Sequence, residues 1–305
     1  TPTYDESEFA SKIAKHIGSK HHILKINKNQ LINTLENINN IYSEPFSDSS
    51  QIPTYMLAKY TSKFNKVVLS GDGGDELFGG YNRYIHANKI EKMYFQNKYF
   101  KSFFKLAANN INFLHYPVEK LKEFLNPKYK IRNFIPHIKK TAEAINSDTE
   151  QELYLKLISH WQDILFQSNG NFFHELEIEW DHNKNLRYNM MSFDLKFYLT
   201  DDLLVKTDRA SMANSLEVRA PYLDFEVYSF AKKLNQTHLF DNNGGKKILK
   251  ETLKLLLPEE LISNSKKGFL FPIKELLRNE LKDWSHALIN NNKLKNFEYI
   301  DFNLV

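Results

Sequence analysis

The sequence contains no cysteine, which excludes a disulfide framework, a thiolate zinc site and a cysteine nucleophile from these 305 residues. Its 11 histidines include no HExxH or similar ligand spacing, so they give no metal signature. No run of 18 apolar residues is present, and no signal peptide is visible, so a membrane span is not expected and a cytoplasmic location is the default. Charge of one sign is also scarce. Lys plus Arg (41) barely exceed Asp plus Glu (37), and a net charge of +4, scattered along the chain, is too thin to argue for nucleic-acid binding. The first residue is Thr1 rather than Met, so the true N-terminus is expected to lie upstream.

What is present is apolar content (42%) sufficient for a substantial core. Phe9, Ile13 and Ile17 recur at helical spacing, with Gly18 placed to end a helix. His22 to Ile26 reads as a short strand flanked by His21-His22. Asn29 to Tyr42 carries Leu31, Leu35 and Ile38 on one helical face, and Pro53 to Lys63 reads as a helix opened by its proline. Lys66-Val67-Val68-Leu69-Ser70 has the pattern of a buried parallel strand. This alternation predicts an α/β fold whose parallel sheet is incomplete, because two strands do not make a stable parallel core. Residues 1–84 are expected to form a partial nucleotide-binding core and 85–190 an aromatic, basic helical region. Residues 191–305 are expected to be helices returning to the site, all within one domain.

The densest chemical signal is Ser70-Gly71-Asp72-Gly73-Gly74-Asp75-Glu76, followed by Leu77-Phe78-Gly79-Gly80-Tyr81. It follows a strand directly, where ligands bind in open α/β sheets. Gly71, Gly73 and Gly74 would let backbone N–H groups approach a nucleotide. Asp72, Asp75 and Glu76 supply oxygen ligands of the kind Mg²⁺ takes together with phosphates. The plainer reading is a Gly/Asp-rich turn whose acids favour a helix start, and for any one residue alone it is the stronger. It is neither a Walker loop nor a GxGxxG fingerprint.

The whole stretch SGDGGDELFGGYNRY closely resembles a signature of the glutamine-hydrolysing asparagine synthetase family, an ATP-pyrophosphatase type of amidotransferase. SEPFSDSSQIPTY (43–55) resembles the family's acidic, Ser-rich approach segment. YLTDDLLVKTDRASMANSLEVRAPYLD (198–224) resembles its long helical stretch, and GGKKILKETL (244–253) and SKKGFLFPI (265–273) its lysine-bearing segments. The matches run in the family's order over about residues 1–285. The resemblance implies an adenine-nucleotide α-hydrolase-like (ATP pyrophosphatase) domain with a large, mostly helical remainder. It further implies activation of aspartate by MgATP to β-aspartyl-AMP, then displacement of AMP by ammonia drawn from glutamine in a glutaminase domain.

By that resemblance Ser70, Gly71, Gly73 and Gly74 contact ATP, Asp72 serves adenylate formation, and Asp75 holds Mg²⁺. Lys246 contacts the phosphates, with Lys247 as its competitor because a one-residue slip stays open. Asp208, Arg209, Glu217 and Arg219 divide between substrate recognition and a salt-bridge network. Arg83 is a candidate on the substrate side, and Tyr81 is read as packing.

Departures from the family are as informative. The glutaminase domain, the first strand with its SGGxDS loop, and the closing His-Gly-Asn and Leu-Trp stretch are missing from this sequence. The isolated 305 residues are therefore expected to be inactive and to fold poorly. The glutaminase would be fused upstream or supplied separately, and a homodimer is allowed. Two other readings stay open: a related amidotransferase acting on a polysaccharide or β-lactam-type carboxylate, and a non-catalytic remnant of a split gene. A tRNA-modifying pyrophosphatase would want a basic face, which is not visible.

Overall fold

The computed structural model describes residues 7–44, 46, 48–95, 144, 147–159, 180–242, 244–262 and 273–290. It is a mixed α/β structure, mostly helical, with one small parallel sheet. The chain divides into two compact units: 1–85 with 191–285, and 86–190 with 286–305.

In the first unit, α1 (Ser7–His16) carries Ala14 into the interior and ends near Gly18, whose φ of +69° is a left-handed conformation that glycine adopts freely. α2 (Lys28–Glu36) begins with a reciprocal cap. Asn27 Oδ1 accepts from the Gln30 amide (2.9 Å) while Gln30 Oε1 accepts from the Asn27 amide (3.1 Å). α3 (Gln51–Thr61) has Pro53 in its first turn, where a missing N–H costs nothing. Leu31, Ile52 and Met56 form a buried cluster between α2 and α3, joined by Leu24, Leu35 and Ile38.

β1 (Val67–Leu69) leads through the glycine loop into α4 (Gly74–Phe78) and α5 (Asn82–Phe95). After α6 (Glu150–Ile158) and α7 (Leu186–Phe193) the chain runs through a π-helical stretch, Asp194–Leu204, into α8 (Val205–Met212). β2 (Glu217–Arg219) then pairs parallel with β1 in the register Val67↔Glu217, Val68↔Val218, Leu69↔Arg219. A 3₁₀ turn at Pro221–Leu223 precedes α9 (Phe225–Ala231), α10 (Gln236–Leu239) and α11 (Lys247–Leu253). α12 (Ile273–Arg278) and α13 (Lys282–Ile289) follow. Leu77 and Phe78 of α4 are buried with Ala231 and Leu239, and Tyr222, Leu223, Phe240 and Ile248 pack around them. That cluster fixes the floor under the glycine loop.

In the second unit, Thr149 caps α6 by accepting from the Glu152 amide (3.1 Å), and Tyr154 lies tilted against Trp180, whose indole donates to Glu150 (3.1 Å).

Three expectations need correction. Residues 22–26 are not a strand but irregular chain, since nothing among the described residues pairs with them. Residues 217–219, read as part of a helical stretch, are the second strand, because Glu217 N donates to the Lys66 carbonyl (2.9 Å) and Ser70 N to the Arg219 carbonyl (2.8 Å). β1 is not buried: Val67 is 44% and Leu69 73% exposed, as the described residues give β1 one neighbouring strand and no cover over that face. The segment 265–272 and most of 96–179 lie outside the described residues.

Gly79 has φ +74°, and a Cβ there would collide with the Phe240 ring, whereas a Cβ at Gly71 would meet nothing within 4 Å. Gly79→Ala is therefore expected to lower the unfolding free energy by about 2–4 kcal/mol in urea titrations. Gly71→Ala should stay within about 0.5 kcal/mol of the parent.

Candidate active site

The chain turns from β1 into α4 through Ser70–Gly73. Ser70 Oγ donates to Asp72 Oδ2 (2.9 Å), and Thr207 Oγ1, from α8, reaches the same oxygen (3.2 Å). Two hydroxyls thus hold one oxygen of Asp72, and its Oδ1 receives no protein donor among the described residues. Gly73 takes φ +83° to reverse the chain and lies against Leu223, while Gly74 lies against the Tyr222 ring. These two glycines are buried and Gly71 is exposed. The open edge of the loop is therefore Ser70–Asp72.

Asp75, in the first turn of α4, meets Lys246 Nζ at 2.7 Å. This contact requires backbones to approach closely. The Lys246 amide donates to the Phe78 carbonyl (3.0 Å). A Cβ on Gly80 would collide with Asp75 and Lys246, and one on Gly245 would collide with the Gly79 carbonyl. Lys246 itself sits at φ +59°, a left-handed conformation that costs a non-glycine residue about 1 kcal/mol or more. Lys247 instead donates to the exposed Thr237 carbonyl (2.9 Å) and does not join the loop.

Behind α4 lies a polar layer. Glu76 is buried and accepts from the Tyr81 hydroxyl (2.5 Å). Burial pushes the Glu76 carboxyl up, against the opposing effect of that hydrogen bond, and burial with the neighbouring Glu76 pushes the Tyr81 phenol up as well. Glu76 is thus engaged away from the loop edge. Arg83 donates to the fully buried Asp194 through Nε (2.9 Å) and Nη2 (2.7 Å), and the Tyr84 hydroxyl donates to the same carboxylate oxygen. The Arg83 guanidinium also lies 4.2 Å from the Tyr81 ring centroid and 5.1 Å from that of Tyr198.

A strand-end glycine loop, a carboxylate held by hydroxyls and a lysine brought to a helix-first-turn aspartate are the geometry of the motifs singled out above. The asparagine synthase family model matches residues 1–305. The chain belongs to that family. It is 26% identical over 301 residues to asparagine synthetase [glutamine-hydrolyzing] 1 of Bacillus subtilis, covering 98% of this chain and 45% of that protein. It is 27% identical over 304 residues to a putative asparagine synthetase of Mycobacterium bovis, covering 95% of this chain and 43% of that one. A putative asparagine synthetase of Methanocaldococcus jannaschii matches at 29% over 217 residues, 68% of this chain and 38% of the other. The chain spans less than half the length of these curated relatives.

The remaining candidates from the long signature are surface pairs. Asp208 with Arg209 and Glu217 with Arg219 meet at 2.7 Å, each half exposed, and exposed pairs of this kind contribute little. Among the described residues no group of three or more His, Asp or Glu side chains could hold a metal ion. No described helix is long and apolar enough to cross a membrane. An open cavity of about 400 Å³ lies between α2 and α3, lined among others by Asn33, Tyr55, Lys59 and Lys63, and touches no residue of the loop.

Sequence reasoning assigned no role to the network that flanks Asp72. Lys206 Nζ lies 2.6 Å from Asp48 Oδ2 and 2.9 Å from Ser50 Oγ, with both charged side chains mostly buried. Burial alone would raise the Asp48 carboxyl, yet Lys206 and Ser50 hold it below the usual range. Asp202, one turn before Lys206, is pushed up to about 6 by burial first and by the Asp48 charge second. Nearby, Tyr198 is pushed up to about 12 by burial and by Asp202. The acidic segment and the long signature are both visible in the sequence, but nothing in their spacing says that they meet.

Asp202 binds its proton more tightly in the folded chain than the ordinary carboxyl value of 3.8. Its contribution is present at low pH and is lost as pH rises from about 4 through about 6. Asp202→Asn, which keeps the shape and removes the ionisation, should therefore gain roughly 1 kcal/mol over the parent near pH 8 after discounting for partial solvent exposure, and nothing near pH 3.5. Denaturant titrations at the two pH values read this difference directly.

Proposed function

We propose that this chain is the nucleotide-activating part of an amide-forming synthetase that converts aspartate to asparagine. The observation that carries the reading is Lys246 held 2.7 Å from Asp75 beside the strand-end loop, two residues from distant segments with the charges that MgATP chemistry needs. Membership of the asparagine synthase family supports it.

In the proposed reaction an oxygen of the aspartate side-chain carboxylate attacks the α-phosphorus of ATP. The bond from that phosphorus to the bridging oxygen breaks, pyrophosphate leaves, and β-aspartyl-AMP remains. Ammonia, drawn from glutamine by a glutaminase domain, then attacks the acyl carbon and AMP departs, giving asparagine. Both partners of the first step are anions, so the site must offset their repulsion and the charge that builds on the leaving pyrophosphate. Lys246 is the residue to do so, and its strained backbone, pinned to Phe78, holds the ammonium at the loop. Ser70 and Gly71, with Gly73 and Gly74 shaping the turn beneath them, form the ledge for the nucleotide. Asp72 keeps Oδ1 available to the reacting groups because Ser70 and Thr207 occupy Oδ2.

Mg²⁺ takes one or two carboxylates and completes its shell with waters and phosphates, so a site with a single carboxylate can hold it once ATP supplies the phosphate oxygens. Asp75 is that ligand, and a bound Mg²⁺ would neutralise the phosphate oxygens. Residues 1–84, 85–190 and 191–305 act in this reading as parts of one synthetase domain with an adenine-nucleotide α-hydrolase-like core. Arg83, tied to Asp194 and three tyrosines, supports the loop from behind, and Glu217 and Arg219 remain candidates on the substrate side.

The full-length protein is expected to exchange labelled pyrophosphate into ATP only when aspartate is added. Lys246→Met should lower that exchange by at least about a hundredfold, as removal of a transition-state charge does. Asp75→Asn should raise the Mg²⁺ concentration needed for half-maximal exchange by about tenfold. Exchange that ignores aspartate but responds to another carboxylic acid would overturn the assigned acceptor, and exchange unaffected by Lys246→Met would overturn the assigned site.

A further inference from the structure

We propose that Lys206, clamped by Asp48 and Ser50, is a positioning residue for Asp72 and acts through the neighbouring Thr207. The proposal rests on the reading of Asp72 as a residue of the reacting site, and deepens it.

Lysine is among the residue types least often buried, and Lys206 keeps only 12% of its side chain exposed, against 18% for Asp48. Its ammonium contacts Asp48 Oδ2 at 2.6 Å and Ser50 Oγ at 2.9 Å, and Ser50 in turn donates to both Asp48 oxygens (2.8 and 2.9 Å). The Ser50 amide also donates to Asp48 (2.8 Å), so the turn that starts α3 is built around this carboxylate. A second tie comes from Tyr42, whose hydroxyl donates to the Lys206 carbonyl (3.4 Å). Both the side chain and the backbone of Lys206 are therefore held by the segment 42–50.

A buried ion pair is rarely the most stabilising choice, since matched apolar residues serve about as well. What it supplies is direction. Successive residues on a helix point about 100° apart, so anchoring Lys206 on one side of α8 fixes where Thr207 points on the next. Thr207 points at Asp72 Oδ2, the oxygen also held by Ser70, at 3.2 Å. Ser70 lies at the end of β1, and Thr207 lies on α8, which packs against α3. Asp72 is thus suspended between two rigid elements, and the roll of α8 sets one of the two. Asp202 lies one turn upstream, close enough for the Asp48 charge to add to burial in pushing its carboxyl up.

Amide hydrogen exchange on the full-length protein tests the linkage without any assumption about the reaction. Lys206→Met and Thr207→Val should each raise exchange at residues 70–74 by about tenfold, while α2, which touches neither residue, keeps the parent rate. Lys206→Arg, which keeps the charge and reach, should recover most of the protection. In aspartate-dependent pyrophosphate exchange, Lys206→Met and Thr207→Val should lower kcat by about tenfold with the KM for ATP within about twofold, a split expected of misplacement and not of lost binding. Loosening confined to α3 and α8, with residues 70–74 and kcat unchanged, would make Lys206 a structural brace and overturn the proposal. No effect of Thr207→Val would also overturn it. Should Lys206→Met fail to fold, Thr207→Val and Lys206→Arg decide the matter. A parent protein without aspartate-dependent exchange would remove the functional reading alone, since the amide-exchange result stands independently.

Discussion

The contact between Lys246 and Asp75 is the constraint around which the site is arranged. It joins the end of the loop before α11 to the first turn of α4, and it forms only because two stretches of backbone come close enough to touch. Gly80 and Gly245 leave that space, and the Lys246 amide secures it on the Phe78 carbonyl. The unfavourable φ at Lys246 is offset by these contacts and by the apolar cluster of Phe78, Leu239 and Phe240 below. The glycines that looked as if they served a ligand are thus divided in their work. Gly71 is open, Gly73 and Gly74 let the 3₁₀ turn at Pro221–Leu223 press against the loop, Gly79 admits the Phe240 ring, and Gly80 admits Lys246.

Around that contact the chain places three polar groups, two of them closed by a partner more than a hundred residues away. Asp72 is held by Ser70 and Thr207, Glu76 by Tyr81, and Asp194 by Arg83 and Tyr84. Each carboxylate has a different setting and therefore a different character. Asp48 is kept ionised by a lysine, Asp202 is pushed toward its neutral form by burial, and Glu76 is pushed the same way under a tyrosine. In the proposed function Asp72 and Asp75 would meet the ligand, while Glu76 and Asp194, buried behind the loop, would support them.

The legible part of this structure was local. A run of β-branched and apolar residues ending in Gly71 marked β1, and the spacing of Leu31 and Leu35 marked α2, since both patterns are carried by neighbours in the chain. Lys246 became a candidate through its surrounding segment, and the structure sets it, not Lys247, beside Asp75. What escaped reading depended on partners supplied by distant sequence. His22–Ile26 reads as a strand but has no pairing edge among the described residues, and Glu217–Arg219 is a strand only because Lys66 and Ser70 meet it. Lys206 finds Asp48, and Arg83 finds Asp194, across more than a hundred residues, a distance at which spacing carries no information.

Four ion pairs among the described residues differ sharply in their distance from water. Glu8–Lys12 and Glu152–Lys156 lie on exposed helix faces, where mobile ions compete for each charge. Asp48–Lys206 and Arg83–Asp194 sit where such ions cannot approach closely, since Asp194 is wholly covered and the Asp48 pair nearly so. Ionic strength therefore separates them: in concentrated salt the outer helices lose their electrostatic support, while the charges that frame the glycine loop keep theirs.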